Sequence, residues 1–150
     1  MRKVRLRRWV YRISAAKKWN PVHPSQRFNF PRDNGRTAYL GQDLAVCRAE
    51  VLGKTGGLVP IKLSWSKARV DLVVWDLRKP GRELGGALGR LVRERRHSWA
   101  VKMVATRARR DGIEGILYSS VRERTKWCLV LFEENVKPRQ FRKFPWKALP

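Results

Sequence analysis

Ser119 and Ser120 place two hydroxyls at the end of a strand-like segment, between the apolar run of residues 113–118 and Val121-Arg122. Serine is a poor strand former, so the pair is either a simple turn or a functional group held at a strand end. Other polar residues stand at comparable boundaries: Arg12 ends the first strand, Arg27 lies in a loop, Tyr39 on a short strand and Glu50 inside a helix. Taken singly, each has a plain structural explanation. Glu50 can pair with Arg48 or Lys54 on a helix surface, Tyr39 can be a core aromatic with a satisfied hydroxyl, and the arginines can be solvated charges. No standard catalytic motif joins them. His23 and His97 lack the surroundings of a Ser-His-Asp triad, no GxxxxGK[ST] phosphate loop is present, and no paired carboxylates form a glycosidase motif. Cys47 and Cys128 make no CxxC and are too few for a zinc site, so they read as small buried hydrophobes and no metal is expected.

Composition sets the frame for these groups. The 150 residues carry 35 Lys+Arg against 12 Asp+Glu, a formal charge of +23, with 43% hydrophobic residues and seven tryptophans. That is enough apolar material for one cored domain. The charge attracts polyanions, phosphorylated ligands or an acidic protein; nucleic acid is the first of these, although an arginine-rich composition also reflects genome base bias. No secretory h-region interrupts the arginines of "MRKVRLRRWVYRI", and no run reaches membrane-spanning length, so a soluble cytoplasmic protein is the expectation.

The elements that must position the candidates follow in order. Val4 to Ile13 is β-prone, and its alternation changes parity near Arg7-Arg8, predicting a bulge or an edge strand. Residues 14–36 are loop-like, and "TAYL" is a short strand. A helix follows, capped by Asp43, with Leu44 to Leu52 as its body and Gly53 at C′. "LVPIKLSW" and "RVDLVVWDL" read as two neighbouring strands, the second more buried. "GRELGGALGRLVRERR" is weakly helical. A better helix starts at Ser98, with Ala100, Met103, Val104 and Ala108 on one face and Gly112 as its stop. "IEGILYSS" and "WCLVLF" are the last strands. The tail "ENVKPRQFRKFPWKALP" shows no periodicity. The fold class expected is α+β, a single domain with a central mixed sheet flanked by helices. Its bounds are 1–136, followed by a basic aromatic tail, 137–150.

The front segment "YRISAAKKWNPVHPSQRFNFPRDNGRTAYLGQDLAVCRAEVLG" resembles the RES-domain family, the toxins of RES–Xre toxin–antitoxin pairs. The elements carrying the resemblance are Arg12, "RFN" at Arg27-Phe28-Asn29, Tyr39 and Glu50. The back segment "DGIEGILYSSVR…CLVLF" is similar to the family's Tyr-x-Ser-Val-Arg stretch and apolar last strand, with Ser120 as the family serine and Ser119 its neighbour. The resemblance covers about residues 10–136. Two loops depart from it: Pro24-Ser25-Gln26 replaces glycines before Arg-Phe-Asn, and "ERTKW" replaces a glycine pair after Ser-Val-Arg.

The resemblance implies a fold similar to ADP-ribosyltransferases and an enzyme that breaks the nicotinamide–ribose bond of NAD⁺, used as substrate. Water, phosphate or a protein side chain would be the acceptor. In this frame Glu50 stabilises the cationic ribose, Arg12 and Arg27 hold the pyrophosphate, and Tyr39 meets the nicotinamide. Ser120, with Ser119 beside it, orients the ribose or the nicotinamide end. An Xre-type antitoxin is the implied partner, and a charge of +23 suits an acidic one. Two other readings stand beside this one. The basic, aromatic ends form a non-specific nucleic-acid-binding module, or the chain is a catalytically inactive RES-like protein.

Overall fold

The computed structural model describes residues 2–20, 28, 30, 36–54, 62–78 and 99–150. Arg27, both histidines, the helix cap expected at Ser98 and the weak helix expected over 81–96 lie outside the described residues.

The expected α+β architecture is present: among the described residues a mixed sheet carries two helices. Strand β1 (Lys3–Ser14) pairs antiparallel with β3 (Ser64–Asp76) along its whole length, from Lys3↔Trp75 to Ser14↔Ser64. Its other edge meets β2 (Thr37–Gly41) at Tyr11↔Gly41. β2 pairs with β5 (Trp127–Phe132), β5 with β4 (Gly115–Ser119), and β4 runs parallel to the end of β3. The path β1-β2-β5-β4-β3 therefore returns to β1. Strand alternation sends Leu6, Val10, Leu40, Val70, Leu72, Leu117, Leu129 and Leu131 into the enclosed core. A second core lies on the outer face, where Val46 and Cys47 of helix α1 (Leu44–Lys54) and Val101, Ala105 and Ala108 of helix α2 (Trp99–Arg110) meet Ile116, Tyr118, Val130 and Phe132.

This two-sided arrangement explains the parity change in β1. No bulge exists, because the register is continuous. Val4, Leu6 and Val10 face the enclosed core, while Tyr11 and Ile13 face the helices. The strand has two apolar faces in different halves, and among the described residues only β2 meets its second edge, at Tyr11↔Gly41.

Other boundaries also shift. Of the two strands expected around residues 58–77, residues 58–61 of the first lie outside the described residues, and its Ser64-Trp65 end is continuous with the second in one strand, β3. Ser66, between the two expected segments, is buried and donates to Phe144 O at 2.6 Å. Gly53 lies within the last turn of α1 rather than after it. On α2 the buried face is Val101, Ala105 and Ala108, spaced one and two turns apart, and Met103 is exposed. Gly112 does stop the helix: at φ +72° its N–H bonds Arg109 O and the Ile113 N–H bonds Ala108 O, the closing pattern that favours glycine. The tail is not separate. Strands β6 (Phe141–Lys143) and β7 (Lys147–Ala148) join β3, and Phe141 and Trp146 close over Trp19 at one end of the enclosed core.

Candidate active site

A cleft of about 220 Å³ opens where β1 and β2 diverge beneath α1. Arg12, Tyr39, Gly41, Cys47, Glu50 and Tyr118 line it. Helix α1 begins there because Asp43 caps it, its Oδ1 accepting the Val46 N–H at 2.9 Å. Burial raises the Asp43 carboxyl, but the Lys126 ammonium at 2.7 Å and the Val46 amide outweigh it and hold the group below its usual value. β2 can approach α1 so closely only because residue 41 is glycine. A Cβ there would stand 2.6 Å from Val46 Cγ1 and 2.8 Å from Cys47 Sγ.

Glu50, one turn beyond Val46, projects from the helix toward the end of β4. There the Ser120 hydroxyl donates to Glu50 Oε1 at 2.7 Å. Ser120 is 1% exposed, and its oxygen accepts the backbone N–H groups of Arg122 (3.2 Å) and Glu123 (3.1 Å). One donor and two acceptor sites complete a hydroxyl's capacity, so Ser120 both caps the 121–126 turn and fixes the carboxylate. Both explanations of the serine pair apply to this one residue. That turn forms without the family's glycines: Lys17 is the only described non-glycine residue with positive φ, so "ERTKW" carries no left-handed strain. The Arg122 guanidinium lies against Gly53, filling the space a side chain would need on α1.

Arg12 is pinned at the opposite wall. Its Nε donates to Lys18 O at 2.8 Å and its Nη1 to Tyr39 O at 2.9 Å, tying β1 to β2 where their pairing ends. Burial lowers the guanidinium to about 10, still charged at neutral pH. The Tyr39 hydroxyl accepts the Phe28 N–H at 3.0 Å, and the buried Phe28 ring packs on Tyr118 at 4.8 Å, which anchors the residue following Arg27 at the cleft. Cys47 donates to Tyr11 O at 3.2 Å, and burial pushes its thiol up to about 12, so it is an inert wall rather than a nucleophile.

The cleft thus brings together Arg12, Tyr39 and Glu50, with Ser120 buried behind it and bonded to Glu50. Ser119 is elsewhere: it pairs with Trp127 and shares the Leu117 face of β4, on the other side of the sheet from Tyr118. Gly41, Cys47 and Tyr118 escaped sequence reasoning as cleft residues. The glycine directly after "TAYL" and ahead of the Asp43 cap was the available signal for a tight strand–helix approach. Among the described residues, no three His, Cys, Asp or Glu side chains cluster as metal ligands, and no helix is long and apolar enough to cross a membrane.

The chain resembles, at a TM-score of 0.73 and 19% identity, a chain of the crystal structure of the M. tuberculosis MbcT-MbcA toxin-antitoxin complex, covering 98% of this chain and 86% of that one. No curated protein matches the sequence. The RES domain family model matches residues 5–147, nearly the entire length, and the chain belongs to the RES-domain family.

Proposed function

We propose that the protein is an NAD⁺-consuming toxin that cleaves the nicotinamide–ribose bond and is neutralised by an antitoxin, with NAD⁺ as its substrate. The observation that carries this reading is the Glu50–Ser120 contact in a cleft walled by Arg12 and Tyr39. When the glycosidic bond breaks, its electron pair leaves with the nicotinamide nitrogen and positive charge develops on the ribose. A carboxylate fixed in advance stabilises that charge without reorganising. Ser120 has no proton left for substrate, so its part is to hold Glu50, and Glu50 is the catalytic residue. Arg12 provides a cation for the pyrophosphate whose position is set by two backbone carbonyls. Arg27, one residue before the anchored Phe28, is proposed as the second. Tyr39 offers a ring edge to the nicotinamide. Ser119, on the other face, has no part in this scheme.

The partner belongs to the same proposal. The structural neighbour comes from a toxin–antitoxin complex, and a chain of +23 favours an acidic occupant for the cleft mouth. An Xre-type protein is the expected antitoxin, and NAD⁺ consumption places the action in the cytoplasm. Induced expression in bacteria tests the whole reading. Wild type should deplete cellular NAD⁺ and arrest growth, while Glu50→Ala at equal protein level should do neither. Arrest by both variants with NAD⁺ intact would refute it and leave a binding protein.

A further inference from the structure

The two chain ends, both basic and aromatic, meet on the outer face of β1 and β3. β1 places Arg5, Arg7 and Trp9 on the outer face of the sheet, and β3 sets Lys67, Arg69 and Asp71 beside them. β6, from the tail, adds Arg142 directly opposite Arg69. Phe144 follows, fixed by its N–H to Lys67 O at 3.0 Å and by the Ser66 hydroxyl on its own carbonyl. Arg5, Arg7, Arg69 and Arg142 are exposed, as is Phe144, and Trp9 is only half-buried.

Folding does not account for this arrangement. Like charges directly opposite on a sheet destabilise it, yet Arg69 faces Arg142. The acid on the face, Asp71, is already held by Arg5 and Arg7 at 2.8 and 3.4 Å. The rings are ordered among the cations: Trp9 and Phe144 stand 5.1 Å apart, with Lys67 Nζ 4.4 Å over Trp9 and Arg69 5.8 Å from the same ring. Cations set around one exposed and one half-buried ring on an open sheet match the requirements of a single-stranded nucleic acid, whose phosphates take the charges and whose bases stack. An acidic polypeptide would use the cations alone.

We propose that this outer face of β1, β3 and β6 binds single-stranded nucleic acid, with Arg7, Lys67, Arg69 and Arg142 on the phosphates and Trp9 and Phe144 as the stacking platform. A protein of +23 binds any polyanion weakly, so the test compares variants of equal charge. Fluorescence anisotropy with a labelled thymidine oligonucleotide is measured for wild type, for Arg69→Glu with Arg142→Glu, and for Arg107→Glu with Arg110→Glu. The last two residues are 69% and 77% exposed on α2, away from the patch. The patch reversal should weaken binding by about tenfold or more and the control by less than about threefold. Phe144→Ala should weaken oligonucleotide binding several-fold and leave inorganic polyphosphate, which has no bases, unchanged. Equal losses from the two reversals would assign binding to diffuse charge and overturn the proposal. So would a Phe144→Ala effect of the same size on polyphosphate, or polyglutamate binding as tightly as the oligonucleotide with the same patch dependence.

Discussion

Ser120 gives its single proton to Glu50 and receives two backbone N–H groups, so removing its oxygen has two separable effects. Ser120→Ala should lower stability by about 2–4 kcal/mol, roughly 1 kcal/mol for each of its three hydrogen bonds and more for the one to a carboxylate, read as a shift in urea midpoint. It should also cut nicotinamide release by about 100-fold, because a misplaced catalytic group is that costly; an unchanged rate in folded protein would place the carboxylate's restraint elsewhere. A second residue-scale test concerns charge on the outer face. The Arg5 hydrogen bond holds the Asp71 carboxyl down at about 2, with Arg7 assisting against some burial. A depressed carboxylate stabilises the fold above its unfolded value and loses that contribution as pH falls toward 2. Titration of Asp71 by NMR should show a midpoint near 2 in wild type and a clear upward move in Arg5→Ala.

At the scale of elements, the site depends on how β2, α1 and the β4–β5 turn are held, and the sequence revealed this unevenly. The Asp43 cap, "TAYL", the Gly112 stop and the last two strands were legible because each rests on local chemistry: a cap, a glycine, or alternation with a clear period. β3 runs unbroken through residues 66–68, where two separate segments are expected. The Ser66 hydroxyl is satisfied by Phe144 O, 78 positions away, which no local pattern reveals. The face expected on α2 is present in part: Ala108 is buried and Val104 packs on the core, while Val101 and Ala105 complete the buried face and Met103 is exposed. Glu50 and Ser120 were legible only as a joint family pattern; their contact spans 70 residues. Ser119, expected beside Ser120 at the site, lies one step along the strand and so on the opposite face. The end of α2 offers a local test. Asn135 donates to Arg109 O at 2.9 Å and Ile113 O at 2.8 Å, closing the helix terminus. Asn135→Ala should cost about 1–2 kcal/mol by removing both bonds, with Arg109 O keeping only the Gly112 N–H, measured by thermal melting, and the helix content by circular dichroism should fall little.

Across the whole molecule, closing the strands on themselves gives the chain an inner core for stability and an outer face whose two halves differ. One half is covered by helices and holds the cleft, and the other is open and basic. The tail belongs to this body: Phe141 packs on Trp19 at 5.3 Å, and β6 and β7 occupy the edge of β3 left by short β4. Truncation after Gln140 should therefore unfold or aggregate the protein rather than trim it, as judged by the loss of a cooperative melting transition. The most direct measurement of the central claim is release of nicotinamide from NAD⁺ by purified protein, followed by chromatography with and without phosphate, beside Glu50→Ala. The account predicts release by wild type and none by the variant; a phosphate requirement would identify phosphorolysis, and its absence hydrolysis. Folded wild type that leaves NAD⁺ intact, both alone and with cell extract to supply a protein acceptor, would contradict it and return Glu50 to an ordinary helix carboxylate.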